Sequence, residues 1–262
     1  MKIILSMVCL MLFSVASLAG EPNALLTADK LLDDCIRQLP AMPLTVAGSL
    51  LVRRRRGIPI ARYKFELKAN WGAYPARAQY TISDAFGRSL EQFTIIHGAT
   101  NSYKYAVGSP LHPAKLTSLS ATIQTTDLSW MDITLAFLWW RGGKIIGEES
   151  KLTIDCYVIQ VPAPTGSNSP YKSVKLWISK KSHMMLQAEG FDADGKIIRR
   201  LWVRSAKKIE GEWMIKNMEV QKYPAVHRTK LRVISVKKET PAVVQPSTEK
   251  KIIQGKGSIR QI

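Results

Sequence analysis

The signatures of catalysis and of metal binding are missing from these 262 residues. The four histidines (His97, His112, His183 and His227) have no partner at metal-ligand spacing. There is neither a His-Glu-x-x-His nor a Cys-x-x-Cys pair. No Gly-x-Ser-x-Gly elbow and no phosphate-cradling glycine loop occurs. Two Ser-x-x-Lys matches, Ser169 to Lys172 and Ser205 to Lys208, stand without companion motifs. Asp192-Ala-Asp194-Gly195 begins like a calcium loop but lacks the later ligands, and a hairpin turn explains it better. The sequence therefore assigns no catalytic, cofactor or metal residue. A hydrolase site assembled in space from distant residues is the one enzymatic reading left open.

Long apolar runs are also scarce. After the N-terminus no stretch of about 20 apolar residues occurs, so no internal membrane-spanning helix is expected. The first twenty residues differ. Lys2 is a short positive region, Ile3 to Val15 are apolar, and Ser17-Leu18-Ala19 ends in small residues. This reads as a signal peptide over 1–19, cleaved after Ala19, with export to the periplasm. Cys9 follows Val8 rather than a small residue and is not read as a lipid-attachment site. Cleavage leaves Cys35 and Cys156. An exported chain can bridge them, but the spacing does not decide between a disulfide and two small buried thiols, and the thiols are the favoured reading.

Cations, by contrast, are abundant: 38 Lys and Arg against 20 Asp and Glu give a formal net charge of +18. In a cytosolic protein that excess would suggest nucleic acid. An exported chain more plausibly meets anionic lipid, anionic polysaccharide or an acidic protein surface, so no nucleic-acid partner is expected. The one dense run, Arg53, Arg54, Arg55 and Arg56, is a candidate contact for anionic headgroups or a partner. Its bland alternative is a solvated basic turn.

Strand patterns dominate the rest. In 43–52, Leu44, Val46, Leu50 and Val52 share a face. In 61–69, Tyr63, Phe65 and Leu67 alternate with charged residues. The arginine run with Gly57 reads as the hairpin turn between them. Further strands are expected at 76–83, 89–96 and 103–107, then at 153–161, 173–179, 184–191, 196–209, 213–223 and 229–236. Such spacing without a βαβ alternation signals one antiparallel sheet or barrel. Leu25 to Leu39 carry a helical apolar face that Thr27 or Asn23 caps and Pro40 ends. The polar, basic segment 240–262 reads as a disordered tail, which leaves 20–239 as one domain.

One stretch stands apart: DLSWMDITLAFLWW, Asp127 to Trp140, holds three of the seven tryptophans. Read as a helix that Asp127 caps, it places Leu128, Met131, Leu135 and Leu138 on one stripe. Trp130, Ile133, Phe137 and Trp140 form a second. A helix that only covers a sheet needs a single stripe, so the second needs protein, lipid or a ligand. A strand remains an alternative for this aromatic-rich segment.

From 124 to 236 the chain resembles the outer-membrane lipoprotein-sorting family, relatives of the periplasmic carrier LolA and its receptor LolB. The resembling runs are TTDLSWMDITLAFLWW, IIGEESKLTIDCYVIQVPAP, YKSVKLWISKKSHMMLQAEGFDADGKIIRRLWV, KIEGEWMIKNMEV and HRTKLRV. The resemblance implies an α+β, mainly β fold: a strongly curved, incomplete antiparallel β-barrel with helices over its open side, enclosing an acyl-chain cavity. It also implies a monomeric, non-enzymatic lipid or lipoprotein carrier without cofactor, whose partners are lipoprotein acyl chains or other lipid and a membrane surface or transporter. Trp130, Ile133, Leu135, Phe137, Leu138 and Trp140 are then the cavity and lid candidates. The competing reading is an envelope scaffold or partner-binding protein with the same fold, a filled interior and no lipid.

Overall fold

The computed structural model describes residues 26–239 apart from 55, 99, 100, 168, 210 and 211. The signal peptide expected over 1–19 and the tail expected over 240–262 lie outside the described residues.

A helix, α1 (Ala28–Arg37), opens the described chain. Thr27 caps it by accepting from the Lys30 amide at 3.1 Å, and Leu31, Leu32 and Cys35 form its buried face. Six strands follow: β1 (Leu44–Arg54), β2 (Pro59–Asn70), β3 (Ala76–Ser83), β4 (Ser89–His97), β5 (Ser102–Val107) and β6 (His112–Ala114). After an irregular segment come seven more: β7 (Lys144–Lys151), β8 (Ile154–Pro162), β9 (Ser173–Ser179), β10 (Met185–Phe191), β11 (Ile197–Ile209), β12 (Glu212–Lys222) and β13 (His227–Lys238).

All thirteen join one antiparallel sheet in the order β6-β5-β4-β3-β2-β1-β13-β12-β11-β10-β9-β8-β7. Each run is a simple meander, and the pairing of β1 with β13 joins the two wings. The sheet curls without closing, and β6 and β7 are its edges. This is the incomplete barrel that the family resemblance implies.

Alternation decides what each face meets. Along β1 every second residue from Leu44 to Val52 is buried, while Arg53 and Arg54 lie toward its end. On the concave side these residues merge with α1 and the 115–143 segment into one large apolar core. A second, small cluster of Cys156, Val158, Trp177 and Leu186 sits apart from it. Neighbours of opposite parity on β8 and β9 (Ile159, Leu176 and Ile178) belong to the large core, so this cluster lies on the convex face. Cys35 belongs to the concave core and Cys156 to the convex cluster, with the sheet between them. Both are free buried thiols.

The 127–140 segment departs from the single helix expected of it. Only Trp130–Ile133 is α-helical (α2). Ser129, not Asp127, is the cap, in a capping box with Asp132. Leu135 takes a left-handed conformation, with φ 51°, and a 3-10 turn over Ala136–Trp139 follows. Thr134 explains part of the break, because its hydroxyl bonds back to the Trp130 carbonyl at 2.7 Å. No described helix is long and apolar enough to cross a membrane.

Candidate functional site

The concave interior has two ends. The upper end carries the β1–β2 turn, of which 56–58 are described, and the β12–β13 turn (223–226). The lower end carries the β2–β3 turn (71–75) and the β9–β10 turn (180–184).

The upper end is filled by the chain segment that links the two wings, and buried polar contacts hold it. The Asp127 carboxylate accepts from the Thr229 hydroxyl at 2.8 Å and the Lys222 amide at 3.1 Å, and meets His227 Nδ1 at 2.9 Å. Its own amide donates to the Thr229 oxygen at 2.8 Å. The Asp132 carboxylate accepts from the Ser129 amide at 2.8 Å and the Tyr171 hydroxyl at 2.6 Å, and pairs with Arg199. All three members of that cluster are buried. Burial works against the Arg199 charge, but Asp132 and Tyr171 together outweigh it and hold the guanidinium above its ordinary value. Burial, then Asp132, pushes the Tyr171 phenol well up, so it stays a neutral donor. Tyr171 fits because its ring lies against Gly190, where an added Cβ would stand 2.4 Å from it. Glu91 makes a third anchor, accepting from the Tyr105 hydroxyl at 2.7 Å and from the Gln124 amide at 3.2 Å.

The lower end is different. Between the sheet, the end of α1 and residues 133–139 lies a cavity of about 210 Å³. The sheet supplies Val46, Phe65, Leu67, Tyr80, Leu231 and Val233 to its wall. The linking segment supplies Ile133, Thr134, Leu135, Leu138 and Trp139. Five sulfur-bearing side chains also face it: Cys35, Met184, Met185, Met214 and Met218. Polar groups are few among its lining residues (the Gln38 amide, the Thr134 and Tyr80 hydroxyls and the indole N–H of Trp71 and Trp139), and the Thr134 hydroxyl is already spent on a backbone carbonyl. Burial, more than anything else, pushes the Cys35 thiol up to about 11, so it lies there as an uncharged, unreactive wall. Among the described residues its lining includes no carboxylate, histidine, lysine or arginine. Its chemistry is the exclusion of water from an apolar guest, and an apolar cavity of ~150 Å³ already admits benzene.

The sequence candidates divide between these settings. Ile133, Leu135 and Leu138 line the cavity. Trp130, Phe137 and Trp140 are buried outside its wall: Trp130 stacks on Phe93 at 4.9 Å, and Phe137 meets Trp140 edge-on at 6.5 Å. Trp139, which the two-stripe wheel omitted, lines the cavity and stacks on His97 at 4.2 Å. The methionines went unnoticed because they lie on distant strands. Among the arginines, Arg53 pairs with Glu219 at 3.3 Å, while Arg54 and Arg56 are exposed at the β1–β2 turn. Arg55 lies outside the described residues. No group of three or more metal-ligating side chains occurs among the described residues.

A family model described as "Uncharacterized protein" matches residues 111–244, just over half the chain. No curated protein matches. Among solved structures, a DUF1329 family protein from Desulfovibrio piger superposes with a TM-score of 0.70 at 16% identity, covering 81% of this chain and 92% of that one. A domain described as an outer membrane lipoprotein-sorting protein, from Vibrio parahaemolyticus, gives 0.69 at 12% identity, with 81% and 92% covered. A LolA superfamily protein from Nitrosomonas europaea gives 0.63 at 18% identity, with 82% and 94% covered. At these identities the likeness is one of fold.

Proposed function

The chain belongs to the family of uncharacterised proteins whose model spans residues 111–244, and from its LolA-superfamily fold and its lower cavity we propose that it is a periplasmic, non-enzymatic lipid-binding protein that carries or sorts the acyl chains of outer-membrane lipoproteins. The carrying observation is the cavity. At one end of its concave face the sheet leaves about 210 Å³ open, walled by aliphatic, aromatic and thioether groups. Each acyl CH₂ moved from water into such a space gains about 0.8 kcal/mol. Flexible, polarisable Met side chains conform to chains of differing shape.

The proposal is tested by native mass spectrometry and lipid extraction of the protein purified from an exporting host. Acyl lipid is expected to copurify, and to be lost in Leu135→Arg, which sets a guanidinium in the cavity wall at a partly exposed position. The thermal midpoint reports whether the fold survives. Absence of lipid from wild type, with no uptake of added fatty acid, sinks the carrier reading. One observation favours a second reading, an envelope scaffold without cargo: the upper half of the interior is already occupied by protein. That reading predicts the same empty result, and binding of a protein partner to a chain whose cavity stays closed to lipid.

A further inference from the structure

The β1–β2 hairpin stands out beyond its neighbours on one side. β3 pairs with β2 only from Lys64 onward, so residues 59–63 of β2 project past it. On the other side the start of β13 follows the hairpin: Arg228 lies opposite Arg53, and His227 opposite Arg54. β12 has left β13 by then, its last pair being Val220 with Thr229. The result is a three-stranded lip at the upper end. It is firmly built, since the Gly57 amide donates to the Arg54 carbonyl at 2.8 Å and the Arg54 amide to the Ile58 carbonyl at 2.9 Å. Gly57 sits at φ 85°, which few other residues adopt.

Two kinds of side chain meet on this lip. Ile58 is 57% exposed, Ile60 46% and Val226, on the adjoining turn, 71%. Around them stand exposed Arg54, Arg56 and Arg62. Arg53 and Arg228 face each other across strands, and such like-charged pairs are ordinarily unfavourable. A single carboxylate, Glu219, receives both of them and Arg204 as well. The lip thus carries exposed aliphatic side chains interspersed with exposed cations, Ile58 level with Arg54 and Arg56 at the turn, and its local acid is already shared three ways.

We propose that this lip docks the protein on an anionic bilayer surface, with Ile58, Ile60 and Val226 entering the headgroup–acyl boundary and the arginines meeting lipid phosphates. Charge alone would suit any polyanion. The exposed aliphatic side chains favour a bilayer, which offers a continuous apolar layer behind its charges, over an anionic polysaccharide, which offers none. The cavity lies at the opposite end of the sheet, so docking at the lip leaves the cavity walls untouched. The two proposals therefore stand or fall separately.

The test is flotation of the full chain with vesicles of phosphatidylcholine alone and of phosphatidylcholine mixed with phosphatidylglycerol. Binding is expected to the anionic vesicles and to weaken with salt. Arg54→Glu/Arg56→Glu should weaken it by about thirtyfold or more, and Ile58→Ser/Ile60→Ser should weaken it at unchanged net charge. All four positions are exposed, so thermal midpoints should not move. Lys207→Glu/Lys208→Glu, an equal charge change at exposed positions elsewhere on the sheet, should matter much less. Failure to bind anionic vesicles overturns the proposal. So does an equal loss in the Lys207/Lys208 variant, which would reduce the effect to net charge. An unaltered Ile58→Ser/Ile60→Ser variant also overturns it, and would reassign the lip to a soluble polyanion. Lipid copurification measured on the same variants is expected to be unchanged.

Discussion

The upper and lower halves of the interior are enclosed by the same curled sheet and crossed by the same linking segment, yet different forces hold that segment in each. Above, residues 124–132 reach the sheet through three buried carboxylates, each with named donors. Below, among the described residues, 133–139 meet it through apolar surfaces and the His97–Trp139 stack. Hydrogen bonds between buried groups are directional and demand one geometry, whereas apolar contacts tolerate rearrangement. The upper half therefore fixes the register of the segment. The lower half is left free to adjust around a guest.

The largest expected effect is at the upper anchor. Asp132→Ala leaves the Arg199 guanidinium buried without its counter-charge, which costs roughly 3–5 kcal/mol. In a domain of this size that lowers the thermal midpoint by roughly 10 °C, readable by calorimetry. Adding Arg199→Met should recover much of the loss, since replacing both members of a buried pair removes the stranded charge. A double variant no better than the single one would show that Asp132 acts mainly through its capping box with Ser129. Next in size is Thr229→Val. It removes a donor to the Asp127 carboxylate and an acceptor from its amide, for about 1–3 kcal/mol in urea unfolding.

The lower half predicts a smaller stability change with a larger functional one. Leu135 holds a left-handed conformation that disfavours a side chain by about 1–2 kcal/mol. Leu135→Gly relieves this while giving up a partly buried isobutyl group, worth a similar amount. The net change in unfolding free energy should be about zero, with altered fatty-acid affinity in a fluorescent displacement assay. A loss as large as that of Asp132→Ala would erase the distinction between the two halves.

Most of the sheet was legible in the sequence, because alternation is a local signal that the pleat converts directly into inside and outside. Every strand expected from it is present. β7 escaped because an edge strand exposed along nearly its whole length, as in Lys144–Lys151, has no buried face to pattern. The cavity was only half legible. A helical wheel assumes one unbroken helix, and the Thr134 back-bond with the turn at Leu135 rotates the later residues out of that frame. Phe137 and Trp140 thereby leave the cavity wall and Trp139 enters it. The helix start expected at Asp127 falls instead on Ser129 and Asp132. The partners Tyr171 and Arg199 of Asp132, like the Thr229 and His227 that meet Asp127, lie far along the chain, and no local pattern announces them.

The smallest effect is a pH dependence confined to the lower half. Burial depresses the His97 pKa below its usual value near 6.5, against an opposing pull from the Asn101 side chain. A group whose folded pKa is lowered contributes stability that is present above the unfolded value and is lost as pH falls through the folded one. The neutral imidazole lies flat on Trp139, with an interplanar angle of 9°, and protonation there would bury a charge against the cavity wall. The thermal midpoint should therefore decline on acidification below about 6.5. His97→Phe keeps an aromatic partner for Trp139 and removes the titration, so it should flatten that decline while leaving the neutral-pH midpoint nearly unchanged. If the two acid limbs superimpose, His97 is not the group that titrates, and the difference between the two ends is one of mechanics alone.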